Sequence, residues 1–484
     1  MPTIDISDDI SIYHSDPMHQ TVTVLHTSGD VYDNDTSCGQ KLTALHKTLQ
    51  RLDFPYAFVK IITTNTNIAT ELETLRCLYS TEQNIIKYEL QSGEFNRTVY
   101  SGDTYCVLPW IHKYVNPQGL VLPCCRADEN YPLGNINNSK LHNISTKTIR
   151  QQMLDGQRPD ACSSCYTKED AGLTSPRQNA NKDFEHYRSQ QNFVQRSLDI
   201  RLSNKCNLMC RMCSGKFSNR ISQEEEKLYG FSKYKDETLS NDVVQEQLDY
   251  IEDNIQTIEK VYFAGGEPLI NKEHYDILNL LIKHNKTNVE IFYNTNFSLL
   301  NYKNYDIIKM WSNFDKINIG ASIDLIGKQS NYVRHGVEYS IIEQNYDLIK
   351  NLTNIDFQVC SIVHLMNVFN LPKLQRHWLD IGLKCNKFNL NTLINPAEQS
   401  LRVLPNYYKK LACIEIDNHV NHLQHIKDSK KLIKQWMQAK DYMTSKDDSN
   451  LLSEFFRLND DKDHNRKQRF EDYYPEYKDL RKYA

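Results

Sequence analysis

Cys206-Asn207-Leu208-Met209-Cys210-Arg211-Met212-Cys213 is a C-x3-C-x2-C run. Three thiolates on one short loop can hold three irons of a [4Fe–4S] cube, which leaves the fourth iron without a cysteine. Electron carriers of the ferredoxin type supply all four thiolates. A three-cysteine run therefore implies a cluster whose last iron is open to an outside ligand. The alternatives are a structural zinc site or a set of unrelated buried thiols. Zinc sites usually want four N or S ligands in paired spacing, and no histidine stands within ten residues of the run.

Around this run the pattern is one of strands alternating with amphipathic helices. Strands are predicted at Ser197–Leu202, Lys260–Phe263, Val289–Tyr293, Ile317–Ile323, Phe357–Ile362 and Phe388–Leu393. Helical periodicity fills the intervals at Val243–Ile258, Tyr275–His284, Ile341–Leu352 and Leu371–Leu379. Strands separated by helices predict parallel βαβ units. Six of them fit a partial (β/α)6 barrel better than a closed eight-fold one. Ligands in such sheets bind at the C-terminal strand ends, where the next motifs fall. The second strand runs into Ala264-Gly265-Gly266-Glu267-Pro268, and glycines let the backbone approach a ligand with no Cβ between. The third ends in Asn294-Thr295-Asn296. The fourth ends in Ser322-Ile323-Asp324, with Arg334 ten positions beyond Asp324.

A second group of cysteines precedes the barrel. Cys106, Gly119 and Cys124 give C-x12-G-x4-C, and Cys162-Ser163-Ser164-Cys165 adds a C-x2-C pair. Cys125 stands beside Cys124 and is its alternative as a ligand. Residues 100–180 are rich in Cys, Pro, Gly and Asn with little periodicity, so a metal centre would help to order them. The same four thiolates would also serve a zinc knuckle. Cys38, Cys77, Cys360, Cys385 and Cys413 are scattered and read as packed hydrophobes.

Taken together, these motifs resemble the radical S-adenosylmethionine (SAM) superfamily with an auxiliary cluster domain of the SPASM or twitch type. The resemblance implies that Cys206, Cys210 and Cys213 hold the SAM-binding [4Fe–4S] cluster. It implies that Gly265, Gly266 and Glu267 bind the methionine amine, and that Asn294 lines the SAM pocket. Ser322 and Asp324 would lie near the ribose, Arg334 would pair with the SAM carboxylate, and Asn367 and Leu393 would flank the adenine. Arg suits a carboxylate because its planar fork bonds it in two places. Cys106, Cys124, Cys162 and Cys165 would hold an auxiliary [4Fe–4S] cluster. The implied reaction is reductive cleavage of SAM to a 5′-deoxyadenosyl radical, which abstracts a hydrogen from a peptide or protein side chain. The alternatives are a small metabolite as substrate (a sugar, nucleoside or amino acid) or a non-catalytic iron–sulfur or zinc-binding protein. A flavodoxin- or ferredoxin-type protein is the implied electron donor. One feature departs from the usual order: the auxiliary module here precedes the barrel.

The expected organisation is a small α/β unit over 1–98, an iron–sulfur domain over 99–190, the radical SAM core over 191–404 and a helical cap over 405–484. Within the first unit, residues 1–18 are polar and read as loose. Thr21–Leu25 and Tyr56–Ile62 read as strands, and Gln40–Leu52 as a helix. Of the 484 residues 24% are charged, and the net charge is -4, so no overall field attracts nucleic acid or an anionic membrane. No apolar stretch is long enough for a membrane-spanning helix. The acidic N-terminus is unlike a signal peptide. With thirteen cysteines these features favour metal ligation in a reducing, cytoplasmic setting over disulfides.

Overall fold

The structure is a computed structural model. It describes the backbone of residues 3–7, 10–16, 21–26, 58–62, 85–89 and 96–98, and with side chains residues 104–484 apart from 171–173, 191, 202 and 235–238. Two compact units emerge. One comprises residues 1–113, 126–133 and 145–195, the other 114–125, 134–144 and 196–484.

In the first unit six strands form one mixed sheet in sequence order: β1 (Thr3–Ser7), β2 (Ile10–Asp16), β3 (Thr21–His26), β4 (Phe58–Ile62), β5 (Ile85–Glu89) and β6 (Asn96–Thr98). The β3–β4 and β4–β5 pairs are parallel, the others antiparallel. Of the residues expected to be loose, Thr3–Ser7 and Ile10–Asp16 are therefore strands instead. Thr3 pairs with Tyr13, and Ile12 with Val24. Backbone donors and acceptors find partners across a ladder whatever the polarity of the side chains. The strand expected at Thr21–Leu25 is β3, and the one expected at Tyr56–Ile62 is present as β4 over Phe58–Ile62, with Tyr56 and Ala57 outside the described residues. The helix expected at Gln40–Leu52 lies outside the described residues, as do Cys38 and Cys77. The rest of this unit is built on a small core of Tyr105, Cys106, Val107, Trp110, Ile111, Ile149, Met153 and Ala161.

The second unit is organised by one long sheet. Its strands are β7 (His112–Val115, of which Tyr114–Val115 belong here), β8 (Leu120–Leu122), β9 (Gly134–Asn135), β10 (Ser197–Ile200), β12 (Lys260–Phe263), β13 (Glu290–Thr295), β16 (Ile317–Ser322), β18 (Ile355–Val363) and β19 (Phe388–Thr392). The sheet order is β19-β18-β16-β13-β12-β10-β7-β8-β9. From β10 to β19 every pair is parallel. Each successive strand is laid down on the same side of the last, and the sheet does not close. This is the partial (β/α)6 barrel. Two short ladders stand apart from it: β11 (Met209–Cys210) with β17 (Arg334–His335), and the hairpin β14 (Asn301–Tyr302) with β15 (Tyr305–Asp306).

Alternation along the strands shows which face meets the helices. In β18, Phe357, Val359, Ser361 and Val363 are buried, while Gln358, Cys360 and Ile362 are partly exposed on the concave face. The helix Lys272–Lys283 turns His274, Tyr275, Ile277, Leu278 and Leu281 inward, the stripe that a 3.6-residue period places on one side. The helix expected at Val243–Ile258 ends at Asp253. There the Asn254 side-chain amide bonds back to the Tyr250 carbonyl at 2.8 Å, and the chain turns into β12. The segment 405–484 is helical, with helices at Asn406–Gln424, Lys430–Thr444, Leu452–Arg466 and Phe470–Tyr473. It shares a hydrophobic core with the barrel. Gln375 ties the two at one point: its Oε1 meets His419 Nε2 at 2.7 Å and accepts from Trp436 Nε1 at 2.9 Å.

Phe263 ends β12 with no exposed surface, stacked on Tyr293 at 5.3 Å and edge-on to His274 at 4.6 Å. Truncation would leave a cavity under the strand end that carries the glycine motif. Phe263→Ala is expected to cost about 3–5 kcal/mol in a urea denaturation series.

Candidate active site

The loop after β10 is tied down before it reaches the cysteines. Ser203 Oγ donates to Asn271 Oδ1 at 2.8 Å, and the buried Asn204 donates to the Gly215 carbonyl at 3.0 Å. Cys206 follows, its N–H donating to Asn219 Oδ1 at 3.2 Å. Cys210 sits in β11, opposite Arg334 of β17. A backbone bond from Cys213 N to the Cys210 carbonyl at 3.1 Å closes the second spacer. Burial pushes all three thiols up. Cys210 and then Glu267 add to the effect at Cys206. Cys213 is raised to about 12, with Cys210 the next cause. At Cys210 the Arg334 guanidinium opposes the rise, with Nη1 3.7 Å from Sγ.

Three thiols that repel one another as thiolates are a donor set waiting for a cation, since metal binding supplies the charge that burial denies them. Among the described residues no three ligating side chains converge as the shell of a single ion. A cube distributes its ligands over separate irons, so the residues present fit an iron–sulfur cluster.

The glycine motif packs directly on this loop. Gly265 has φ +120°, a conformation that favours glycine, and a Cβ on Gly266 would lie 2.0 Å from the Lys205 carbonyl oxygen. Glu267 N donates to that same oxygen at 2.8 Å. The Glu267 carboxylate is buried and accepts from Thr295 Oγ1 at 2.7 Å, Asn296 N at 2.7 Å and Leu269 N at 3.1 Å. Burial outweighs these three donors and moves the carboxyl up to about 7. Asn296 reaches back to the cysteine loop, donating to Asn207 Oδ1 at 2.7 Å. Asn294 is exposed on the concave face, where its amide donates to Tyr262 Oη.

Asp324 and Arg334 form a buried pair, with Nε 2.7 Å from Asp324 Oδ2. The other carboxylate oxygen accepts from Ile362 N at 2.8 Å. Both oxygens of Asp324 are thus engaged within the protein, and Arg334 is held between Asp324 and Cys210. Ser322 is partly exposed at the end of β16. Asn367 is committed to the turn after β18, accepting from His364 N and donating to the Ile362 carbonyl, each at 2.8 Å. Leu393 is buried beyond β19, its N–H on the Val363 carbonyl at 3.0 Å.

In the other compact unit Cys106 lies close enough to Cys162 and Cys165 to feel both. Burial is the main cause that pushes it up to about 12, and Arg177 opposes the rise. Arg177 is fixed by a salt bridge to Glu169 and by donating to the Tyr105 carbonyl at 2.5 Å. Cys124 and Cys125 belong to the barrel unit. Cys125 there influences Arg201 and Tyr262 on the concave face. Of the scattered cysteines, Cys385 is buried in the core and Cys413 packs against it. Cys360 instead sits on the concave face beside Asn294 and Gly320, because it takes an inward position of β18. No local pattern marks Arg211, which is buried inside the cysteine run itself. It donates to the Tyr332 carbonyl at 2.8 Å, Asn459 Oδ1 at 2.6 Å and Asp463 Oδ1 at 2.5 Å. Its last two partners lie far down the chain, with no local signal linking them to it.

Two outcomes follow from this geometry. Gly266→Ala forces a methyl into the Lys205 backbone, which cannot give way like a flexible side chain. Iron retained after anaerobic reconstitution should fall towards half while the far-UV circular dichroism stays unchanged. The Glu267 carboxyl, raised from its usual 4.5 to about 7, favours the folded state when protonated. That contribution is complete below pH 4.5 and is lost as pH rises through 7. Stability of the ligand-free protein should therefore decline from pH 5 to 8, by about 1.4 kcal/mol per pH unit at most. In Glu267→Gln that part of the slope should vanish.

Residues 200–372 match the family model of the Radical SAM superfamily. Residues 106–166 match the SPASM iron–sulfur cluster-binding domain. No curated protein matches the chain. Among solved structures, native anSMEcpe with bound AdoMet aligns at 18% identity and TM-score 0.34, over 52% of this chain and 63% of that one. The Streptococcus suis SuiB structure bound to S-adenosylmethionine aligns at 13% identity and TM-score 0.34, over 66% and 70%. SuiB bound to the precursor peptide SuiA aligns at 14% and 0.32, over 65% and 70%. The chain thus spans less than two thirds of the anSMEcpe length. With the cysteine loop and glycine motif inside the first matched region and Cys106, Cys162 and Cys165 inside the second, residues 200–372 form a radical SAM superfamily domain, preceded in the chain by a SPASM iron–sulfur cluster-binding domain over 106–166.

Proposed function

We propose that the chain reductively cleaves SAM and uses the resulting 5′-deoxyadenosyl radical to abstract a hydrogen from a peptide or protein side chain. The observation that carries the reading is the meeting of three elements at the C-terminal ends of the barrel strands. The cysteine loop, the Gly265-Gly266-Glu267 turn and the Asp324–Arg334 pair are linked there by Glu267 N on Lys205 O and by Arg334 on Cys210. The SPASM match supports a peptide as substrate, since this auxiliary domain is characteristic of peptide-modifying members of the superfamily.

Cys206, Cys210 and Cys213 would hold the SAM-binding cluster, whose chemistry when bound is to pass one electron to the sulfonium of SAM. The remaining work falls to the chain. Gly265 and Gly266 leave backbone exposed for the methionine amine, and Glu267 fixes that turn through its three hydrogen bonds. Asp324 holds the Arg334 guanidinium in place, and the donors it leaves over are offered to the SAM carboxylate. Asn294 and Ser322 face the concave side and line the pocket; Asn367 and Leu393 shape the strand ends where the adenine would rest. The buried Glu267, Asp324, Arg334, Asn367 and Leu393 would help to keep water from the radical. Cys106, Cys162, Cys165 and Cys124 are proposed for the auxiliary cluster, and a flavodoxin- or ferredoxin-type protein for the electron supply. The iron–sulfur domain is assigned to 99–190, the core to 191–404.

Anaerobic reconstitution should yield about eight irons per chain, two cubes. Replacing Cys206, Cys210 and Cys213 together by Ala should leave about half. Arg334→Ala should weaken SAM binding by about 2–4 kcal/mol in isothermal titration, the loss of a buried charged partner. For the substrate, deuterated peptides and deuterated small metabolites are each incubated with reduced enzyme and SAM. Deuterium appearing in 5′-deoxyadenosine from peptides supports the reading; transfer from metabolites alone refutes it.

A further inference from the structure

Cations crowd the cysteine loop: the exposed Arg220 donates to the Asn207 carbonyl at 2.5 Å, and of four less exposed ones three are matched. Arg211 pairs with Asp463, Arg466 with Glu224, and Arg334 with Asp324. The fourth is Lys462, on the helix Leu452–Arg466. Its ammonium donates to the Arg211 carbonyl at 3.3 Å, a bond that lands inside the two-residue spacer between Cys210 and Cys213. Gln399 Nε2 donates to the same oxygen at 2.8 Å. No carboxylate lies within ion-pair distance of Lys462 among the described residues. Burial, Arg466 and Arg211 all disfavour its charge, and Glu224 and Glu398 support it only from a distance. Even so, its charge favours the thiolate form of Cys213. A partly buried ammonium with no counter-ion, placed against a loop of three thiols, points to an anion that completes the site.

We propose that Lys462 is the electrostatic partner of the cluster held by Cys206, Cys210 and Cys213, a positioning residue on the C-terminal helix whose fixed positive charge eases reduction of that cluster. This rests on the cluster assignment made above. A thiolate-ligated cube gains one negative charge on reduction, so a nearby cation stabilises the reduced form more than the oxidised one. Burial of the loop keeps that interaction from being screened by salt.

The test is a redox titration of the reconstituted full-length protein at pH 7, followed by electron paramagnetic resonance. The signal of this cluster is identified as the one missing from the Cys206/Cys210/Cys213 triple alanine variant. A wild-type protein without such a signal would refute the cluster assignment itself. With the signal present, three variants separate charge from hydrogen bonding. Lys462→Met removes both, Lys462→Gln keeps a donor without the charge, and Lys462→Arg keeps the charge. We expect Met and Gln alike to make reduction at least tenfold less favourable, a shift of 59 mV to lower potential for one electron, and Arg to restore most of it. Wild-type potential in Gln with a loss in Met would assign Lys462 a hydrogen-bonding role and overturn the proposal. An unchanged potential in both, with iron content intact, would overturn it as well. If Met fails to fold, the comparison of Gln with Arg decides the question.

Discussion

A guanidinium with no access to water stands at the centre of the cysteine loop. Arg211 is desolvated at a cost that its partners must offset: the Tyr332 carbonyl, Asn459, Asp463, Gln468 and the face of the Tyr332 ring 3.7 Å away. Removing one partner from such a network leaves a buried charge uncompensated, and this is far costlier than losing a surface pair. The loop between Cys210 and Cys213 can therefore adopt its shape only when the helix Leu452–Arg466 and the residues just after it are docked. The ladder of β11 on β17 depends on the same arrangement, because Arg211 N donates to the Val333 carbonyl beside it at 2.8 Å. The C-terminal helices are in this sense part of the site.

The site is built by backbone approaching backbone. At Gly266 there is no room for a methyl, and the Glu267 carboxylate draws three donors from its own turn and from the end of β13. Those donors fix the strand ends relative to one another before any ligand arrives, the preorganisation that open α/β sheets offer at their C-terminal edge. Around that frame, cations near the thiols oppose what burial does to them. Buried thiols resist ionisation, and Arg334 and Lys462 pull in the other direction. A cluster binding here would find its ligands already gathered, with part of their negative charge already anticipated.

Local signals made much of this legible. The spacing of Cys206, Cys210 and Cys213, the glycines before Glu267 and the alternation in β18 all act over a few residues, where chain geometry is fixed by covalent reach and period. Six parallel strands emerged close to where periodicity put them. The errors are informative. Residues 1–18 looked loose because their side chains are polar, yet strand pairing satisfies backbone groups and is indifferent to that. Cys360 looked like core because strand membership says nothing about which face meets the helices. Asp324 and Arg334 also bond each other, a pairing ten residues apart that no local pattern announces.

The sequence by itself determined the chemistry available: which thiols, which carboxylate, and the strand ends on which they stand. Tertiary structure decided the environment of each. Arg211 and Asp463 are 252 residues apart, and no pattern in a chain announces that two such charges will be buried together. Cys106 and Cys124 belong to one sequence motif, yet they fall in different compact units. Burial, counter-charge and the partner of every donor depend on what distant segments bring, because desolvation is a property of the packed whole and not of any stretch of chain.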